Sequence, residues 1–255
     1  MAGTIQFNFK RYEKKYMLAP DQLTRVLAGM ENHVRADGFG RCAICSIYYD
    51  TDDFRLIRAS LEKPVYKEKL RMRSYGVPGD GDKVFVELKK KYDGVVYKRR
   101  TVMTAADAVS YLHHGAGPAE KNQVCREIDW FMRSCRPAPR VFIAYDRTAF
   151  EGVEDPDLRI TFDTSLRWRD RELDLRAGDY GEALLSPGHI LMEVKIPGAA
   201  PVWLAHLLSE TGAFHTSFSK YGGPPPARTR QALRGRRKGG AHLCLIPLSR
   251  GVKLP

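Results

Sequence analysis

Several stretches of this chain alternate Lys, Arg or Glu with large apolar residues, and that alternation limits the fold more than any other feature. Over residues 65–75, Lys67, Lys69, Arg71 and Arg73 share one parity, with Leu70 and Met72 opposite. Residues 83–91 set Glu87, Lys89 and Lys91 against Val84, Val86 and Leu88. Residues 157–163 set Arg159 and Asp163 against Leu158, Ile160 and Phe162. Residues 189–196 set Glu193 and Lys195 against Ile190, Met192, Val194 and Ile196. Side chains alternate faces along a strand, so each segment reads as a strand with one charged and one apolar face. A first strand over 5–17 groups Arg11, Glu13 and Lys15, and a strand over 140–149 aligns Arg147 with Tyr145.

An antiparallel sheet with one wet face alternates in the same way. Here, however, the polar positions are Lys, Arg and Glu almost to the exclusion of Ser, Thr and Gln, and the intervening helices need apolar faces to cover. Helices are expected at 20–30 behind Pro20, at 51–61 behind the Thr51-Asp52-Asp53 capping signal, and at 104–113, 119–135 and 202–211. Further strands are expected at 42–50, 95–103 and 166–175, with Tyr92-Asp93-Gly94 as a tight hairpin turn. If the helices cover the apolar faces, the charged faces turn inward once the sheet closes. Buried ions are costly unless paired or ligand-bound. Such a lining makes sense around a polyanion, with Arg and Lys gripping phosphate oxygens and carboxylates holding a divalent cation.

Composition fits a globular protein: of 255 residues, 43% are apolar and 28% charged, which excludes full disorder. No apolar stretch approaches the roughly 20 residues of a membrane-spanning helix, the longest being near 241–248. Charges at Lys10, Arg11, Glu13, Lys14 and Lys15 interrupt any signal-peptide block, so the cytosol is the expected compartment. The net charge of +12 suggests a nucleic-acid footprint until its distribution is read. Eight basic residues and no acidic ones fall in 222–255, leaving 34 basic against 30 acidic before that point. The chain therefore divides into a domain over 1–222 and a basic Pro/Gly/Arg-rich tail over 223–255, expected to be disordered or loosely attached. No specific nucleic-acid partner is expected. Five cysteines are an odd count, so Cys42-x-x-Cys45 reads as structural and reduced. His113-His114 reads as an exposed helix end.

The motifs in order are Arg11-Tyr12-Glu13-x-Lys15-Tyr16, Tyr48-Tyr49-Asp50-Thr51-Asp52-Asp53-Phe54, Lys69-Leu70-Arg71-Met72-Arg73-Ser74-Tyr75 and Val86-Glu87-Leu88-Lys89. They continue with Tyr145-x-Arg147-x-Ala149-Phe150, Arg159-Ile160-x-Phe162-Asp163, Glu193-Val194-Lys195 and Ser219-Lys220-Tyr221. Over about residues 5–222 this set resembles the catalytic VTC domain of polyphosphate polymerases, a branch of the triphosphate tunnel metalloenzymes. The resemblance implies an α+β fold: an eight-stranded antiparallel β-barrel, or triphosphate tunnel, with helices packed on the outside. It implies ATP and polyphosphate as ligands and a divalent metal, Mn2+ or Mg2+, as cofactor. It leaves room for a membrane-bound partner protein and sets no oligomeric state.

Carried over by position, Lys15, Arg71, Arg73, Lys89, Arg147, Arg159 and Lys220 resemble the family's phosphate ligands. Lys98 follows from the adjoining strand, and Lys195 from its place beside Glu193. Glu193 resembles the metal carboxylate, with Glu87 as a second. Hydrolytic and cyclase relatives carry Glu-x-Glu-x-Lys on the first strand, where this chain has Arg11, Glu13 and Lys15. That exchange favours the polymerase-like branch. The expected reaction moves the γ-phosphoryl group of ATP onto a growing polyphosphate chain, with Arg71, Arg73, Lys220 and Glu193 as the catalytic set. The alternatives are a metal-dependent triphosphatase and a polyanion-binding module without turnover. Without a ligand, Arg71 and Arg73 are expected to repel one another, so losing either should leave stability intact. No P-loop motif is present.

Overall fold

The computed structural model describes residues 12–62, 64–93, 95–118 and 122–224. The expectations for Arg11, for Cys244 and for most of the basic tail lie outside them. In chain order the elements are β1 (Tyr12–Leu18), α1 (Pro20–Met30), β2 (Val34–Asp50), α2 (Arg55–Leu61), β3 (Tyr66–Tyr75), β4 (Lys83–Tyr92) and β5 (Val95–Thr104). They continue with α3 (Ala105–His114), α4 (Gln123–Cys135), β6 (Ala138–Gly152), β7 (Arg159–Arg169), β8 (Glu182–Ala183), β9 (Ile190–Ile196) and α5 (Val202–Glu210). All pairings are antiparallel, in the order β1-β9-β7-β6-β2-β3-β4-β5, with the short β8 on β7.

The α+β class holds, but the closed eight-stranded barrel is corrected. Among the described residues, eight of the nine strands make an open path whose ends, β1 and β5, share no ladder, and β8 lies off it. The edge of β5 is exposed over Val95–Arg100 and carries Lys98, Arg99 and Arg100, charges of the kind that keep an edge strand solvated.

The alternation sorts the faces as read. Leu70, Met72, Val84, Val86 and Leu88 meet Ala108, Leu112, Ile128 and Phe131 of α3 and α4 in one core. Ile160, Phe162, Met192 and Val194 meet Val26, Met30, Leu204 and Leu208 of α1 and α5 in a second. A third core lies on the opposite sheet face, where Tyr48, Ile143, Trp168 and Leu191 pack against Phe54 and Ile57 at α2 and against Tyr221. The inner face is therefore charged over only part of its area, because α2 and the segment after α5 cover the rest.

Two expected strands, 157–163 and 166–175, are one. In β7 the pairing with β6 shifts at Tyr145, where two residues, Ser165 and Leu166, oppose one. Ser165 sits at φ 50°, and this bulge re-aims the strand. Asp163 and Leu166 thus face the same side despite opposite parity. The strand stops at Arg169 because its guanidinium gathers the following loop, donating to the carbonyls of Glu172, Asp174, Gly178 and Tyr180. Residues Leu175–Ala177 form a 3-10 turn instead. The residues of Cys42-x-x-Cys45 lie on opposite faces of β2, and among the described residues the cysteines are free. His113 is half-buried, not exposed, and shares a 2.8 Å hydrogen bond with the Tyr49 hydroxyl.

Asp50 ties α2 to the sheet. It is fully buried, and its carboxylate accepts from the amides of Thr51, Leu56 and Ile57 and from the Tyr221 hydroxyl at 2.8 Å. Thr51 accepts from the Arg55 amide, so the capping signal acts one turn before the helix that it was read to open. Asp50→Ala should cost about 2–4 kcal/mol, since it strands several buried donors at once. Urea unfolding monitored by tryptophan fluorescence checks this.

Candidate functional site: two carboxylate centres among cations

The register brings the charged parities of β3, β4 and β5 together. Arg71 faces Glu87, which faces Arg100, and Tyr48 of β2 faces Arg71. Glu87 is nearly inaccessible and accepts from Arg71 at 2.6 Å, Lys98 at 2.6 Å and Arg100 at 3.1 Å. Burial works to raise its pKa, but Arg71, Arg73 and Lys98 override it and bring the carboxyl down to about 2. Burial likewise opposes ionisation of the Tyr48 phenol, yet Arg71 and Arg73 bring it down to about 8. The Arg71 guanidinium donates to the Tyr48 hydroxyl at 3.2 Å.

A second centre joins β1, β6, β7 and β9 to the segment after α5. Arg147 donates twice to Asp163, at 2.6 and 2.7 Å, and once to Glu193 at 3.1 Å. Lys220 lies 2.7 Å from both Glu193 and Asp163. Lys15 stands 3.7 Å from Glu193 and donates to the Phe218 carbonyl. Burial favours the neutral acid, but Lys220, Arg147 and Lys15 hold Glu193 well below the usual carboxylate range. Tyr145 links the two centres. The Lys220 ammonium sits 4.7 Å over its ring and the Arg147 guanidinium 5.2 Å, while its hydroxyl accepts from Arg73 at 3.1 Å.

Most expected site residues converge here: Lys15, Arg71, Arg73, Lys98, Arg147, Lys220, Glu87 and Glu193. Lys195 is half-buried next to Glu193 on β9, and burial lowers its pKa. Lys89 is exposed one register step out from Glu87. Arg159 is not drawn in. It is exposed at the start of β7 and its ion pair is with Glu151 at 3.8 Å. Asp163, Tyr48, Tyr145, Ser46 and Arg100 belong to the site without having been assigned a role from sequence. Parity marks Asp163 and Arg100, but only the fold shows which cation each meets.

The expected divalent cation can be tested against these donors. Among the described residues, no three Asp, Glu, His or Cys side chains group as a metal site. Glu193 nevertheless offers hard oxygens, and Thr161, directly across the ladder from it, carries a buried hydroxyl with no hydrogen-bond partner. Mg2+-like ions commonly use one or two carboxylates plus phosphate oxygens. Glu193 Oε1 is held by Lys220 and Oε2 by Arg147, so the residues fit a cation only where it arrives with a phosphate ligand and takes the place that Lys220 leaves at Glu193.

The cations of the two centres hold Glu87 and Glu193 ionised, which sets the sign of the pH response. A carboxyl with a depressed folded pKa adds stability above its unfolded pKa, given for Glu as 4.5, and loses it as pH falls. The unliganded protein should therefore lose stability progressively from about pH 4.5 down through pH 2. Glu87→Gln should flatten part of that slope, as read from denaturation midpoints across pH.

Comparison with known proteins follows the same outline. The chain is 29% identical over 210 residues to vacuolar transporter chaperone complex subunit 4 of Schizosaccharomyces pombe, covering 70% of this chain and 29% of that protein. It is 31% identical over 153 residues to the subunit of the same name from Trypanosoma brucei brucei, covering 49% of this chain and 19% of that one. The chain thus spans less than a third of the length of these relatives. A solved putative adenylyl cyclase from Hippeastrum, described as having a dominant triphosphatase activity, shares the fold, with a TM-score of 0.50 at 16% identity over 85% of this chain and 94% of its own. Residues 10–223 match the VTC domain as a family, and the chain belongs to that family.

Proposed function

We propose that this domain transfers the γ-phosphoryl group of ATP to the end of a polyphosphate chain on the charged part of its inner face. The observation that carries the reading is Arg73. It is buried, and its guanidinium donates to the hydroxyls of Ser46 and Tyr145, at 3.2 and 3.1 Å, while Glu87 acts on it only from beyond ion-pair distance. Among the described residues no carboxylate lies within ion-pair distance of it. A buried charge without a counter-ion in contact is costly, and a phosphate group would supply that contact.

The terminal phosphate of the acceptor is already anionic at neutral pH, so the step needs no strong general base. Positioning and neutralisation of spreading charge carry it. Arg71 and Arg73 sit two residues apart on β3, roughly 6.7 Å along the strand, and would grip successive phosphates. Lys220, held over Tyr145 between Asp163 and Glu193, would swing its ammonium onto the transferring oxygens. Glu193 would hold the divalent cation, which would supply positive charge to the phosphate oxygens when bound. Arg147 keeps Asp163 and Glu193 in place.

Purified protein incubated with ATP and Mn2+ should yield long phosphate polymers on a sizing gel. Orthophosphate alone would point to the triphosphatase reading, and no turnover to a binding module.

The two β3 arginines should separate in stability, contrary to the expectation that both are dispensable without ligand. Arg71 is a counter-ion of the buried Glu87, which keeps Lys98 and Arg100 when it is lost, so Arg71→Ala should destabilise the unliganded fold by about 1–2 kcal/mol. Arg73→Ala should leave it unchanged or slightly more stable. Either change should cut turnover by on the order of 100-fold. Thermal unfolding and product assays on the two variants check the contrast.

A further inference from the structure

The charged parity of β3, β4 and β5 turns apolar at one end. Tyr75 follows Arg71 and Arg73 on the same face of β3, and Phe85 shares the face of Glu87 on β4. In register, Phe85 stands between Arg73 and Val102. The Tyr75 and Phe85 rings meet edge to face, with centroids 5.6 Å apart at 86°. The Arg100 guanidinium lies 4.8 Å over the Phe85 ring while it pairs with Glu87 at 3.1 Å. A small aromatic shelf therefore adjoins Arg73, the buried cation without a carboxylate in contact.

Folding does not call for this shelf. Tyr75 is 56% exposed and Val102 48%, and among the described residues the three hydrophobic cores include neither of them, nor Phe85. The backbone beneath Tyr75 is nonetheless fixed. The Gly76 amide donates to the Ala43 carbonyl at 2.8 Å, and the Ser74 hydroxyl donates to the Gly76 carbonyl at 2.7 Å. Gly76 sits at φ 76°, a conformation that favours glycine. Three side chains offer far less than the roughly 800 Å² per partner of a stable protein interface. A fixed aromatic surface of this size suits a single flat ring, and a nucleobase stacks on such a surface through its π-face.

We propose that Tyr75, Phe85 and Val102 form the subsite for the base of the nucleoside triphosphate whose phosphates reach Arg73. The proposal rests on the phosphotransfer reading and adds to it the residues that tell a nucleotide from an inorganic triphosphate. Tyr75 lies two residues beyond Arg73, roughly 6.7 Å along the strand, and the ribose of a nucleotide spans a comparable gap between base and phosphates. Tyr75 offers the open ring, Phe85 supports it edge-on, and Arg100 steadies Phe85. Stacking accepts every base and sorts them only by stacking strength, so the shelf selects nucleotides as a class.

The test is a titration of wild type, Tyr75→Ala, Tyr75→Phe and Phe85→Leu with ATP and with inorganic tripolyphosphate. Tyr75→Ala should weaken ATP binding about five- to twentyfold while tripolyphosphate binding stays within about twofold. Tyr75→Phe keeps the ring and should retain ATP affinity. Phe85→Leu keeps an apolar side chain and should weaken ATP binding to a smaller extent, again without loss toward tripolyphosphate. Equal weakening toward both ligands would overturn the subsite, as would unchanged ATP affinity in both Tyr75→Ala and Phe85→Leu. If wild type does not bind ATP, the subsite and the phosphotransfer reading fall together. If wild type binds both ligands but makes no polymer from ATP, that reading falls alone, and the variants still decide the subsite.

Discussion

Repulsion among cations on the inner face is the constraint that the rest of the structure answers. Two nearly inaccessible carboxylate centres hold that repulsion in check. Glu87 gathers Arg71, Lys98 and Arg100 on one half of the sheet, and Asp163 with Glu193 gathers Arg147, Lys15 and Lys220 on the other. Neither centre has acids to spare. Arg73 is left in contact with two hydroxyls, and in the next lysine row outward Lys98 turns back to reach Glu87. A sheet built this way is stable enough to fold, yet it keeps unspent positive potential where an anion can use it.

The apolar architecture fixes where those charges meet. Helices α3 and α4 seal the outer face of β3 and β4, and α1 with α5 seals that of β7 and β9, so the charged parities of both halves are left on the other side. Helix α2 and Tyr221 then fill part of that side. The chain from Tyr221 through Asp50 to the start of α2 is continuous, and Tyr221 also stacks on Tyr48 at 4.6 Å. Lys220 is therefore positioned by the same buried acid that anchors α2, which couples the placement of a site residue to the core.

Much of this was legible in the sequence because strand parity is a local property. The rows Lys67 to Arg73 and Glu87 to Lys91 needed only alternation, and the motif order supplied the family. What was not legible depends on contacts between distant segments. The Ser165 bulge reverses parity halfway along β7, and nothing in Ser165-Leu166 announces it. Arg169 looks like another lining charge, yet it ends its strand by collecting carbonyls and lies 3.6 Å over the Phe142 ring. Arg159 has the parity of a ligand but stands at the sheet's end beside Glu151. Arg71 and Arg73 look equivalent two positions apart, and only the register shows that one meets Glu87 while the other meets hydroxyls.

The central claim is that the inner face is a polyanion site whose apo form carries unrelieved positive charge. Thermal unfolding of the wild-type protein with rising inorganic tripolyphosphate, against KCl of matched ionic strength, tests it most directly. A ligand that binds only the folded state raises the midpoint with its concentration. The account predicts a continuing rise with tripolyphosphate well beyond any effect of KCl. Identical curves in the two salts would contradict it.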